Sequence, residues 1–387
     1  MNDAMKALYD ERMLLRHDLL EFRQPKRVPV TARFSLDSAC GLAGIDLRKA
    51  MYSPALMEKA MTTVCETFYS DSAPFSMTRL PLEFQVTGSA NSMQSSSGTI
   101  QHPEFEGMRA DDYDAFIEDP VTTLIEVIHP RVLKSLRSKS PEEVRLAALR
   151  GYIADQDCKR VVSSMFAKMD DRYGYMKPFG GGPMSNIPFD YLADHLRGFG
   201  AALIDLRRRP EKVKAANAVL LKIIKWLCNR PSTEPDGVSW LALHMPAFMS
   251  TRQFEEFYWE DFLDFIIFLN GLGWHCTVFV EGDWERYYGH MDRLPHYKTS
   301  FQCEEGDPAR MKETFGRHHF FGGLYDPTIT LVYDKERCID EAKRLVDICG
   351  KDGGFYFCFN KNVIDIKSVD VNKLAAVLEW VRDKAIY

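Results

Sequence analysis

Four side chains that can bind a metal or move a proton stand at or near the ends of apolar runs in the second half of the chain. The runs cover residues 239–245, 276–280, 298–303 and 354–359, and the side chains are His244, Glu281, Cys303 and Cys358. Imidazole, carboxylate and thiolate groups are the usual ligands of Zn²⁺. Histidine and glutamate are also frequent general acids and bases. These residue types therefore predict a zinc site or, without metal, an acid–base pair.

The runs themselves are typical of buried strands, and amphipathic helical patterns alternate with them from residue 240 to the end of the chain. Apolar strands that alternate with helices predict a parallel sheet covered by helices. We interpret this as the closing half of a (β/α)₈ TIM barrel, in which the chemistry lies at the C-terminal ends of the strands. His244, Glu281 and Cys303 should then share one face of the barrel.

Length and composition fit this fold. The chain has 387 residues and 45% hydrophobic content, which suits one barrel of about 250 residues with additions better than two separate domains. We predict an α/β TIM-barrel domain over 1–387, with an N-terminal helical extension at 1–25. Segments 70–110 and 173–188 are predicted loop excursions at the barrel mouth.

Charge and targeting signals restrict the partners. The 49 basic and 55 acidic residues give a net charge of −6, so no overall field attracts nucleic acid or an anionic membrane. No signal peptide or long apolar segment is recognised, which predicts a cytoplasmic protein with a small-molecule substrate. The nine cysteines are scattered without paired spacing, so buried thiols are expected instead of a disulfide framework.

Residues 173–183 combine glycines with aromatic side chains, a composition that suits a mobile lid over a pocket. A Gly-rich connector is the alternative interpretation. As a lid, the segment would bring Tyr175, Lys177 and Phe179 to the substrate. Arg197 and Trp284 are the other predicted substrate-binding residues.

Several short motifs carry a family resemblance. They include Glu281-Gly282-Asp283-Trp284 and Gly322-Gly323-Leu324-Tyr325-Asp326-Pro327, with further matches at 26–30, 113–120, 197–198, 210–213, 254–257, 353–355 and 371–374. With these motifs the chain resembles the uroporphyrinogen decarboxylase superfamily, in the branch related to corrinoid-dependent methyltransferases. The resemblance implies a TIM barrel, methyl transfer, zinc as cofactor, and a corrinoid (cobalamin) carried by a partner protein. The sequence leaves open whether the protein forms a homodimer.

The sequence departs from that family at two places. The positions that usually supply zinc ligands hold Phe279 and Lys361, and the arginine-rich loop of the true decarboxylases is reduced to Arg33. A zinc site would therefore need the replacement set His244, Glu281, Cys303 and Cys358.

Three functions remain open from the sequence. The first is an enzyme that moves a methyl group between a small methylated substrate and a corrinoid protein or a thiol or folate acceptor. Glu281 and His244 would be its ligands or its acid and base, and Tyr325 or Asp283 would orient substrate. The second is a decarboxylase of a tetrapyrrole or aromatic carboxylate. The third is a non-catalytic protein that binds a corrinoid or another ligand.

Overall fold

The structure, a computed structural model, describes residues 1–75, 79–137 and 140–387. Six strands form one parallel sheet in the order β1-β6-β5-β4-β3-β2. They are β1 Val30–Thr31, β2 Val238–Leu243, β3 His275–Val280, β4 Thr299–Cys303, β5 Phe321–Tyr325 and β6 Phe355–Phe359. The predicted parallel α/β sheet is confirmed.

Helices connect and cover these strands. The α-helices of eight or more residues are Asp3–Leu20, Leu36–Ala43, Pro54–Thr67, Pro141–Tyr173, Phe199–Arg208, Pro210–Leu227, Trp259–Gly271, Lys335–Leu345 and Val371–Lys384. Shorter helices that matter for the site are Pro188–Tyr191, the π-helical turn Leu192–Arg197 and Tyr288–Met291. A small antiparallel ribbon pairs Met93–Gln94 with Ile100–Gln101. Among the described residues, none of the helices is long and apolar enough to cross a membrane.

Both faces of the sheet are buried, which explains why its strands are apolar along their length. The outer face, which includes Val278 and Phe301, belongs to the large core shared with the surrounding helices. The inner face carries Tyr356 and Cys358 and packs against Phe179 and the end of the N-terminal helix. Successive residues of one strand therefore enter two different cores.

The sheet has six strands and is not closed. The structure thus confirms parallel strands but not the predicted eight-stranded barrel. Residues 70–75 and 175–183 span the gap between β1 and β2. The amide of Asp71 donates to Val30 O (2.7 Å), that of Met176 to Asp71 O (2.8 Å), and that of Gly182 to Val238 O (2.7 Å). Among the described residues these contacts add no strand to the sheet, and of the three only that of Met176 belongs to an isolated bridge, Ser72 with Met176.

A side chain replaces part of the missing ladder at the β1 edge. The Asp71 carboxylate is fully buried and accepts from the Val30 amide (2.8 Å) and from the Arg27 guanidinium (2.7 and 2.8 Å). Arg12 of the N-terminal helix lies 3.3 Å from the same carboxylate. The predicted helical extension is thus attached to the sheet by a buried ion-pair cluster.

The predicted lid is packed at the N-terminal end of the strands, away from the mouth. Tyr175 is 3% exposed, and the Phe179 ring lies 5.3 Å from Phe320 and 5.1 Å from Tyr356. Lys177 points outward and pairs with Glu234 at 2.7 Å. This packing matches the alternative interpretation, a Gly-rich connector. Tyr175, Lys177 and Phe179, which were predicted to contact substrate, therefore lie away from the mouth.

Candidate active site

His244 and Glu281 meet above neighbouring strands. His244 follows β2 and Glu281 follows β3, and the register pairs the preceding residues, Leu243 and Val280. The ring Nδ1 of His244 lies 2.6 Å from Glu281 Oε2. The two side chains remain 32% and 36% exposed, so solvent and a small ligand can reach them. The parallel pairing brings these two predicted residues together.

A buried carboxylate holds the backbone beneath this pair. Oδ1 of Asp190, in the short helix Pro188–Tyr191, accepts from the amides of His244 (3.0 Å) and Met245 (2.8 Å). The Tyr258 hydroxyl donates to the other oxygen, Oδ2. Burial raises the pKa of Asp190 to about 7, although the positive charge of His244 lowers it in part. Asp190 therefore positions His244, and its ionised form adds negative charge near the ring.

A third carboxylate faces the opposite edge of the ring. Asp194 Oδ2 lies 3.7 Å from His244 Nε2 and accepts from Asn186 Nδ2 at 3.1 Å. Burial raises the pKa of Asp194. Glu281 faces Nδ1 of the ring and Asp194 faces Nε2. A metal ion bound to either nitrogen could therefore take only one of these two carboxylates as a ligand.

The charge state of His244 follows from these neighbours. Burial lowers its pKa, but the hydrogen bond to Glu281 and the charges of Glu281, Asp190 and Asp194 outweigh burial and raise the pKa to about 9. At neutral pH the ring is therefore an imidazolium. Its Nδ1–H is held by Glu281, which leaves Nε2–H as the proton available to a ligand.

A cavity of about 870 Å³ opens beside this ring. That volume suits a small organic ligand. The wall next to His244 is formed by the inner face of β2 and by the π-helical turn. The polar residues of the wall include Arg79, Ser92, His102, Asp155, Lys159, Asn186, Asp194 and His195, and Trp240 and Ala242 are among its apolar residues.

The cavity is also lined by an arginine, Arg79. Arg79 contacts the His102 ring, and His102 Nδ1 lies 3.1 Å from Ser92 Oγ. Burial lowers the pKa of both Arg79 and His102. Arg79 thus lines the cavity together with the carboxylates of Glu83, Asp155 and Asp194, and the charges of Glu83 and Asp194 raise its pKa in part.

The predicted cysteines do not join His244 and Glu281. Cys303 pairs in register with Val280 and lies in the outer core beside Cys349. Cys358 lies in the inner core near Thr31. Alternate strand residues face opposite sides, and burial raises the pKa of both thiols. The four predicted ligands form no metal-binding group among the described residues, so this set does not fit zinc and we derive no step through a metal here.

The four other predicted site residues have structural surroundings. The Tyr325 hydroxyl donates to Cys338 O (3.2 Å), and Asp283 accepts from the Glu285 amide (2.8 Å) in a turn. The Trp284 indole is 1% exposed and donates to Glu281 O. Arg197 is buried in an ion pair with Asp205 (2.7 Å). None of the four lines the cavity.

The positions that supply zinc ligands in the resembled family carry no ligand in this chain. Phe279 stacks on Trp240, with ring centroids 5.9 Å apart. Lys361 Nζ lies 3.5 Å from Glu304 Oε2. An aromatic stack and an ion pair therefore occupy this part of the mouth.

The sequence interpretation missed Asp190 and Asp194. Both lie in the segment 189–206, which the helical pattern predicts as one long helix, and the structure interrupts it with a π-helical turn. A sequence signal did exist, because two carboxylates four residues apart are surrounded by apolar Phe189, Leu192 and Ala193. Ionisable residues on an apolar helix face are costly unless they are paired or used.

Comparisons with known proteins bear on the fold. Neither the protein-family models nor the curated proteins give a match to this sequence. Among solved structures, a methyltransferase from Methanosarcina mazei is similar over 98% of each chain, with a TM-score of 0.59 and 12% sequence identity. At that identity the similarity establishes a shared fold along the whole chain.

Proposed function

We propose that this protein is an enzyme that transfers a methyl group from a small methylated substrate in the cavity to a corrinoid protein, a thiol or a folate. The observation that carries the proposal is the His244 imidazolium, held by Glu281 at the mouth of a cavity of small-molecule size. The fold shared with a methyltransferase supports the reaction class.

The proposed chemistry needs one proton from the protein. An anionic acceptor attacks the methyl carbon, the bond from carbon to the substrate heteroatom breaks, and its electron pair stays on the heteroatom. His244 Nε2–H donates its proton to that atom, which makes the leaving group neutral. Glu281 stays ionised and keeps the ring oriented through Nδ1, and solvent then returns the proton to Nε2.

The acceptor would reach the cavity from outside. A volume of about 870 Å³ is in the range of drug-sized ligands, so a corrinoid would be presented by a partner protein at the mouth. A thiol or folate acceptor would instead enter the cavity beside the substrate.

The test is an acceptor assay with a panel of methylated amines, thioethers and aromatic methyl ethers. Free reduced corrinoid, a thiol and a folate serve as acceptors, and mass spectrometry measures the methylated product. We expect turnover by the wild-type protein and a loss of about 10²- to 10⁴-fold in His244→Gln, since a general acid contributes that much. Glu281→Gln should be slower as well.

Glu255→Gln is a matched control, because Glu255 forms a similar pair with His290 (3.3 Å) outside the cavity. Its turnover should equal that of the wild type. Methyl transfer that is unaffected by His244→Gln would contradict the proposed role, and the absence of methyl transfer with every donor would contradict the reaction class.

One observation favours a second candidate, a decarboxylase of an aromatic or tetrapyrrole carboxylate. The guanidinium of Arg33 lies 5.4 Å from the Phe279 ring and 5.9 Å from the Trp240 ring, and its buried Nη1 has no hydrogen-bond partner among the described residues. A substrate carboxylate would supply that partner. Release of CO₂ from such acids, lost in Arg33→Met, would favour this reaction over methyl transfer.

A further inference from the structure

A second group of ionisable side chains lies at the opposite end of the sheet from the cavity. Asp292 follows the helix Tyr288–Met291, and His296 is four residues further along. His318 lies in the segment that leads into β5. One ligand atom from each of Asp292, His296 and His318 can be chosen so that all three lie within 4.8 Å of one another.

The two segments are already joined without a metal. His318 Nδ1 lies 2.9 Å from Asp292 Oδ1, and the rings of His296 and His318 stack at 4.0 Å with an angle of 3° between them. The amide of Tyr297 donates to His318 O (3.0 Å), which fixes the two backbones beside each other. The three side chains are therefore already close together. Because an imidazole binds a metal in its ring plane, one of the two parallel rings must tilt to bind the same ion as the other. Binding through His296 Nε2 would also release its contact with Asp292 O (2.9 Å).

The chemistry of the set selects the ion. Two imidazoles and one carboxylate are typical of Zn²⁺ and similar transition metals, whereas Mg²⁺ and Ca²⁺ prefer oxygen ligands alone. Ligand bonds of about 2.0–2.1 Å in a tetrahedral site place two ligand atoms roughly 3.3 Å apart. The 2.9 Å between Asp292 and His318 would thus need to open by only a few tenths of an ångström.

Access and charge agree with this assignment. The Asp292 and His318 side chains are 39% and 33% exposed, and His296 is exposed. Solvent can therefore supply the fourth ligand. Two neutral imidazoles and one carboxylate leave a divalent ion with a net positive charge. A water molecule bound as the fourth ligand would stabilise that charge.

We propose that Asp292, His296 and His318 form a binding site for Zn²⁺ or a similar divalent transition metal, separate from the cavity. The ion would replace the proton shared by Asp292 and His318 and would attach the loop after Tyr288–Met291 to the segment before β5. Its effect is on the stability of this end of the sheet, since His244 lies beyond the opposite ends of the strands.

The test is calorimetric titration of Zn²⁺ into the chelator-treated full-length protein. The wild type should bind one ion at this site. Binding should weaken by roughly 10- to 100-fold or more in His318→Gln and in Asp292→Asn, because even residues that only support a ligand contribute that much to metal affinity. The melting temperature with Zn²⁺ should rise in the wild type and not in these variants.

Two controls separate this site from others. His17→Gln removes a histidine that pairs with one carboxylate, Asp236 at 3.3 Å, and His244→Gln removes the ring at the cavity. Both should retain the ion. Should His318→Gln fail to fold, His296→Gln changes only an exposed ring. Wild-type protein that binds no Zn²⁺, or cluster variants that bind it as the wild type does, would overturn the proposal.

Discussion

Replacing Glu281 by glutamine should lower the pKa of His244. The substitution keeps the size of the side chain and removes the charge 2.6 Å from Nδ1. A hydrogen bond to a charged group contributes roughly 1.5–3 kcal/mol, and one pKa unit corresponds to about 1.36 kcal/mol. The pKa should therefore fall by about 1–2 units. Solvent screens the partly exposed pair, which keeps the change within that range.

The assay is an NMR titration of protein with labelled histidine between pH 5 and 10. The resonance of His244 is assigned by its absence in His244→Gln, and Glu255→Gln is the control that should leave its pKa near 9. After Glu281→Gln the midpoint should move to about 7–8. A midpoint that moves by less than about half a unit would refute the reasoning, because Asp190 and Asp194 would then hold the proton without Glu281.

The remaining predictions concern stability, measured by urea unfolding. Because the pKa of His244 rises from 6.5 to about 9 on folding, its contribution is complete below pH 6.5 and is lost as the pH rises through 9. The wild type should lose about 1–2 kcal/mol more than His244→Gln over this window, a value discounted for partial exposure. Asp71→Ala should cost about 3–5 kcal/mol because it leaves buried arginines unpaired, while Glu58→Ala, at an exposed pair with Lys168, should cost less than about 1 kcal/mol. Gly323→Ala should cost at least about 3 kcal/mol, since φ is +104° and a Cβ would lie 2.0 Å from Cys303 O. Gly289→Ala, whose Cβ meets nothing within 4 Å, should be neutral; equal losses in the two glycine variants would contradict this reasoning.

Much of the sheet could be predicted from local patterns. Apolar runs bounded by helical segments locate β2, β3, β4 and β6 to within a few residues, because strands buried on both faces must be apolar throughout. The same rule explains what failed around residues 70–75 and 175–183. These segments contain prolines, glycines and polar residues, and their hydrogen bonds come from partners distant in the chain, such as Val30 and Val238. The pattern of residues within a segment does not reveal hydrogen-bond partners that are distant in the chain.

The candidate site, like the sheet, could be predicted only in part from the sequence. The sequence by itself determined that His244 and Glu281 would be neighbours, because each follows a strand and parallel strands in register end at the same edge. It did not determine which face Cys303 or Cys358 would occupy, since a strand that is apolar on both sides shows no alternation from which the face can be assigned. Only the tertiary structure placed Asp190 beneath His244, from a helix 54 residues earlier in the chain. The protonation of His244 depends on the packing of three carboxylates around one ring, and no spacing within the sequence encodes that packing.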